Sequence, residues 1–79
     1  MPVEVHLFAA AKAAVGESMV TAEAGTLGSV LDSVGARHPD FVRVRPQCSF
    51  LLNEVACTDP STLVGDGSRV DVLPPFAGG

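Results

Sequence analysis

The sequence has no tryptophan and no tyrosine, so the usual aromatic platforms for stacking bases or sugars are missing. Two cysteines, Cys48 and Cys57, and two histidines, His6 and His38, lie scattered rather than in a zinc-ligand spacing. An iron–sulfur cluster needs about four thiolates, which two cysteines cannot supply. No apolar run approaches the roughly 18 residues of a membrane span. Positive charge is scarce: five Lys/Arg stand against nine acids, a net charge of −4, and only Arg43 and Arg45 lie close together. Nucleic-acid binding needs a clustered basic face, so that class is disfavoured. The opening Met1-Pro2-Val3-Glu4-Val5 carries an acid and no basic cluster, unlike a secretory leader. The expected location is therefore cytoplasmic, where a disulfide is not expected. Both cysteines read as small buried hydrophobes.

What the chain does have is apolar content. Its 79 residues are 47% hydrophobic and 18% charged, too apolar for disorder and too short for more than one domain. A domain of this size buries only about 60% of its unfolded surface, so its core is small.

Val3-Glu4-Val5-His6-Leu7 alternates and predicts a half-buried strand with Val3, Val5 and Leu7 inward. His6 is assigned no role, and Phe8 continues the outward set. Ala9 to Val15 is alanine-rich and predicts a short helical connector that stops at Gly16. Val20-Thr21 predicts a second strand, paired with the first as a hairpin. Thr26 is a natural N-cap, and Leu27, Val30, Leu31 and Val34 form one apolar stripe on a helix ending near Arg37-His38. Gly28 and Gly35 weaken that helix and suit close packing on a sheet. Pro39 to Gln47 reads as a loop anchored by Phe41 and Val42. Cys48 to Leu52 reads as a central strand, Asn53-Glu54 as a turn, and Val55-Ala56-Cys57 as a brief return. Leu63 and Val64 read as core plugs between turns at Asp59-Pro60-Ser61-Thr62 and Gly65-Asp66-Gly67. Arg69 to Leu73 alternates again, with Val70 and Val72 inward. The order predicts an α+β fold: a mixed sheet of four to five strands with one main helix packed on one face. The last strand is expected between the first and third.

The chain is organised around its end, Pro74-Pro75-Phe76-Ala77-Gly78-Gly79. Two prolines fix φ and cannot donate to a ladder, so the last strand stops there. The expected division is a domain over 1–73 and an extended tail over 74–79. Glycines without Cβ make a narrow tip that presents the Gly79 carboxylate. Phe76 reads as an apolar anchor for a partner or, alternatively, as a residue folded back on its own domain. Phe8 and Phe50 are candidates for an apolar docking patch near the tail, and either could equally be core.

These features together resemble a known family. The strand–helix order, Gly65-Asp66-Gly67 before the last strand and the terminal Gly-Gly resemble the MoaD/ThiS-type ubiquitin-like sulfur carriers, whose fold is the β-grasp. Leu7-Phe8-Ala9 with the alanine run to Val15-Gly16, and Leu73 to Gly79, are most similar to the small subunit of molybdopterin synthase. The family's common Asn-Gly hairpin is absent at 53–54. The resemblance implies a carrier that binds no cofactor and has no active site of its own. An ATP-dependent, ubiquitin-activating-like adenylyltransferase, using ATP with magnesium, adenylates the Gly79 carboxylate, and sulfur attack leaves a thiocarboxylate. That sulfur serves molybdopterin synthesis inside a large subunit, in a heterotetramer with two copies of this chain. Pro74, Pro75, Phe76, Ala77 and Gly78 are implied as the segment the partner grips. Sulfur carriage for thiamine, cysteine or tRNA thiolation stays open, as does a protein modifier joined by isopeptide bonds. A plain interaction module with an inert tail is a third reading.

Overall fold

Alternation sets the first strand as expected. β1 (Val3–Leu7) buries Val3, Val5 and Leu7 and turns Glu4 and His6 away from the core. α1 (Ala9–Val15) follows at once and ends at Gly16, whose φ of 86° is the left-handed conformation that glycine adopts at low cost. β2 (Met19–Ala22) returns antiparallel to β1, with Val5 opposite Val20. The structure, a computed structural model, describes residues 1–75. The expectations for Phe76, Ala77, Gly78 and Gly79 therefore lie outside the described residues.

α2 (Leu27–Arg37) is the main helix, and its four stripe residues Leu27, Val30, Leu31 and Val34 are all buried. The Thr26 side chain accepts a hydrogen bond from the Ser29 backbone N–H at 3.1 Å, which satisfies one orphan donor of the first turn. Thr26→Ala is expected to cost about 1 kcal/mol for this reason, read as a lower denaturant midpoint at constant m-value. Gly28 and Gly35 do allow close approach, but not to the sheet. A Cβ on Gly28 would meet the Pro60 carbonyl oxygen at 3.3 Å, and one on Gly35 would meet Val42 Cγ2 at 3.1 Å.

The segment after α2 departs from expectation. Pro39 to Gln47 is not a loop but α3 (Pro39–Val44) continued by a 3-10 turn (Arg45–Gln47). Proline is well suited to a first helical turn, where its missing N–H is an orphan anyway, and Asp40 favours the same end of the dipole. Phe41 is fully buried, whereas Val42 is 57% exposed and anchors nothing in the core.

β4 (Ser49–Leu52) and β5 (Val55–Ala56) form a hairpin at the other side of the sheet. Their two-residue turn has Asn53 at φ 49° and Glu54 at φ 71°, the left-handed pair that a tight type I′ turn demands. Asparagine tolerates that region, but glutamate holds it at a cost of roughly 1–2 kcal/mol. The turn persists because Asn53 is tied to β7 (Arg69–Leu73): its N–H donates to the Arg69 carbonyl at 2.8 Å, and its Oδ1 accepts from the Arg69 N–H at 2.9 Å. Glu54→Gly is expected to stabilise the domain by about 0.5–1 kcal/mol, seen as a higher melting temperature.

The five-stranded sheet runs β2-β1-β7-β4-β5. β7 occupies its centre, between β1 and β4 as the sequence predicts, and runs parallel to β1 and antiparallel to β4. The Cys48–Leu52 stretch is thus the neighbour of the centre, not the centre itself. A second, unforeseen ladder pairs β3 (Gly25–Thr26) with β6 (Leu63–Val64). The pairing turns Val64 inward and leaves Leu63 79% exposed, so only one of the two expected plugs is core. α2 and its neighbours cover one face of the sheet, and the other face stays open. The architecture is the expected α+β, β-grasp arrangement, with α1 and the unforeseen α3 beside the main helix α2.

Candidate functional site

The geometry of the candidate site follows from where β7 ends. Leu7 lies beside Val72 in the parallel ladder, and Ser49 lies opposite Leu73 in the antiparallel one. The strand that leads to the tail is therefore paired on both sides as far as Val72, and on the β4 side to its last residue, Leu73. Val70 and Val72 are fully buried, so the mount is also locked from one face. Pro74 is buried with the domain, and Pro75 is exposed. The body thus extends one residue further than the expected boundary at 73. Rigid support of this kind fixes the direction in which the chain leaves.

The open face of the sheet can be read from the registers. One row crosses Met19, His6, Asp71, Leu51 and Ala56, and a second crosses Thr21, Glu4 and Arg69. Met19 is 41% and Phe8 38% exposed, apolar area toward the end of the sheet where the chain leaves. Phe50 stands opposite the inward Val72 and packs against the core, so it faces the helix side. By strand alternation Phe8 and Phe50 lie on opposite faces and do not form one patch. Met19 and Leu51 are the residues that sequence reading missed. Their outward phase follows only once the strand register is known.

Charge on this face is internally compensated. Arg69 Nε donates to Asp71 Oδ1 at 2.7 Å, and His6 Nε2 stands 3.0 Å from Glu4 Oε1. The hydrogen bond it donates to Asp71 holds the Arg69 guanidinium protonated even more firmly than usual. Asp71 is the one acid buried among the described residues, and this pairing is what permits its burial. Arg37 Nη2 donates to the Thr21 carbonyl at 2.6 Å, occupying an acceptor on the edge strand β2.

The cysteines behave as small half-buried side chains. Cys48 Sγ donates to the Val44 carbonyl at 3.3 Å, and burial pushes its pKa up, away from the reactive thiolate. Both thiols are free. Among the described residues no group of three or more His, Cys, Asp or Glu side chains is placed to hold a metal ion, and no helix is long and apolar enough to cross a membrane.

Comparison with known proteins agrees with this geometry. The model of the ThiS family matches residues 5–79. Among solved structures, small archaeal modifier protein 1 from Haloferax volcanii superposes with a TM-score of 0.85 at 24% identity, covering 100% of both chains. The complex of subunits 1 and 2 of molybdopterin-converting factor from Helicobacter pylori gives a TM-score of 0.73 at 25% identity, again over 100% of both chains. The BexX/CysO complex of Amycolatopsis orientalis gives 0.82 at 24% identity, over 98% of this chain and 99% of that one. No curated protein sequence matches the chain.

Proposed function

Since this chain belongs to the ThiS family of ubiquitin-like sulfur carriers and modifiers, we propose that it carries sulfur as a thiocarboxylate at Gly79. The observation that carries the reading is the family match over residues 5–79, which includes the Gly78-Gly79 ending. The central, doubly bonded position of β7 supports it, because a strand so held presents its continuation in one direction.

The chemistry needs two steps. A carboxylate is a poor electrophile, so an activating enzyme first transfers AMP from ATP to the Gly79 carboxylate and releases pyrophosphate. A sulfur nucleophile then adds to the acyl carbon, the bond to the AMP oxygen breaks, and AMP leaves. The product thiocarboxylate is the sulfur donor. This chain contributes the acyl group, a narrow tip and a docking face, and the catalytic groups come from its partners. Pro75, Phe76, Ala77 and Gly78 form the segment that the partner grips. Burying Phe76 in the partner contributes about 1.5–3 kcal/mol. Phe8, Met19 and Leu51 make the apolar part of the docking face, around the compensated Arg69–Asp71 and His6–Glu4 pairs.

The acceptor we favour is a molybdopterin precursor held by a larger partner subunit. The likeness to the Helicobacter pylori two-subunit factor over the full length of both chains supports that choice, together with the Pro-Pro-Phe ending. Intact mass spectrometry after incubation with an activating enzyme, ATP and sulfide tests the reading. One oxygen exchanged for one sulfur is the expected result. An unchanged mass, with the same enzyme loading a control carrier, contradicts it.

A further inference from the structure

β2 is one edge of the five-stranded sheet, and its register with β1 decides which of its backbone groups point out of the sheet. The Leu7 N–H donates to the Ser18 carbonyl at 2.8 Å. Bonded and non-bonded pairs alternate along an antiparallel ladder, so Val5–Val20 and Val3–Ala22 are bonded pairs too. Met19 and Thr21 alternate with these residues and turn their N–H and C=O groups outward, away from β1. The bond from Arg37 Nη2 to the Thr21 carbonyl fits that phase.

A groove of about 970 Å³ runs beside this edge. Its walls include Thr21 and Glu23 on the β2 side, Ser29, Ser33 and Arg37 on α2, and Asp66. Ser29, Ser33 and Arg37 recur every four residues, so they form one row on α2, about 12 Å long. Arg37 closes the row at the end of the helix. Glu23 and Asp66 lie toward its start, where Gly25 pairs with Val64. The groove therefore has a cation at one end and two acids at the other. Arg43, Arg45 and Arg69 each face a carboxylate, on Asp40, Asp32 and Asp71. Arg37 faces none among the described residues and bonds a neutral carbonyl instead. A carboxylate is the stronger acceptor for a guanidinium and can take two parallel N–H bonds from it.

We propose that the β2 edge and this groove take an extended segment of a partner protein as an added strand, with an acidic side chain of that segment seated on Arg37. The strand bonds the outward groups of Met19 and Thr21. Main-chain pairing of this kind gives affinity, and the side-chain seats give specificity. The strand's own N–H takes over the Thr21 carbonyl, and Arg37 turns to the carboxylate. Glu23 and Asp66 repel a second acid near the start of α2, so the segment carries its acid at one end only. A small carboxylate would use Arg37 alone and leave the outward backbone groups unpaired. β1 and β2 stand between the added strand and β7, a separation of about 14 Å, so the mount of the tail stays uncovered. The proposal is independent of the chemistry that the tail carries.

The test titrates the isotopically labelled full chain with a blocked peptide, acetyl-Thr-Val-Thr-Glu-Thr-Val-Thr-amide, and follows each backbone amide by NMR. Shifted resonances and slowed hydrogen exchange are expected at the Met19 and Thr21 N–H groups. Replacing the peptide's glutamate with glutamine is expected to weaken binding about tenfold. For Arg37→Gln the two peptides are expected to bind equally. Binding that leaves Met19 and Thr21 unprotected overturns the added strand. Equal affinity of the two peptides for the natural chain, or a preference for glutamate that survives in Arg37→Gln, overturns the seat on Arg37. No binding up to the peptide's solubility overturns both. Arg37 is exposed, and the comparison of peptides on the natural chain stands whatever the variant's stability. No activating enzyme takes part, so a failure of sulfur loading leaves this measurement unaffected.

Discussion

Deletion of Gly79 is expected to abolish sulfur loading and to leave folding stability within about 0.5 kcal/mol of the full chain. The two halves of that result separate function from fold. Every buried hydrophobic residue of the described core lies between Val3 and Val72, so removing the last residue takes nothing from it. The chemistry, in contrast, is expected to need a carboxylate at one position. Without Gly79 the chain ends on Gly78, one residue and about 3.3–3.6 Å short of the reacting atoms. Misplacement of even about 1 Å at a reacting centre costs on the order of a hundredfold in rate. Parallel measurement of thermal unfolding and of intact mass after activation checks both halves. A truncated chain that still exchanges oxygen for sulfur removes Gly79 from the mechanism.

The largest expected effect on stability belongs to Phe41→Ala. Phe41 is the bulkiest fully buried side chain of the described residues, on a helix of only six residues that packs against both α1 and α2. A helix that short has little stability of its own, so its place depends on this anchor. Truncation of a buried phenylalanine costs about 3–5 kcal/mol. A 79-residue domain has roughly 4–12 kcal/mol in total, so the variant is expected to lie at or near the limit of folding. Denaturant unfolding is expected to show a greatly lowered midpoint. The neighbouring Val42→Ala, at an exposed position, is expected to change stability by no more than about 0.5 kcal/mol. If the two variants cost the same, α3 does not depend on Phe41.

The contrast between those neighbours shows where sequence reading stops. The stripe on α2 was legible because four apolar residues at helical spacing can face only one way, and all four are buried. β1 and β7 were legible from alternation alone. α3 was not. Pro39 is both a stop signal for the helix before it and a good first residue for the helix it begins, and the first sense masked the second. Six residues also give too little periodicity to weigh Phe41 against Val42, so both were expected as anchors and only one is. The β3–β6 pair was hidden for a related reason. Two-residue strands carry no alternation, and only the tertiary ladder decides that Val64 turns in and Leu63 turns out.

The proposed docking face was half legible. Phe8 and Phe50 were both candidates, yet the register places Phe50 with Val72 on the covered side. A strand of four residues such as β4 reads equally well in either phase until its partner is known. The tail lies beyond what the structure describes, and its roles for Phe76, Ala77, Gly78 and Gly79 rest on residue chemistry and on the family. Pro74 is the one tail residue whose surroundings changed its assignment: it is buried with the domain, so the segment proposed for the partner's grip begins at Pro75.

The central claim is that the acid group of Gly79 is the atom set on which sulfur is loaded. The most direct measurement compares the full chain with a version whose Gly79 carboxyl is blocked as an amide, each incubated with the activating enzyme, ATP and sulfide. The account predicts that the free acid gains sulfur, mapped by fragmentation to Gly79, and that the amide gains none. Sulfur found on Cys48 or Cys57, or equal loading of the amide, contradicts it.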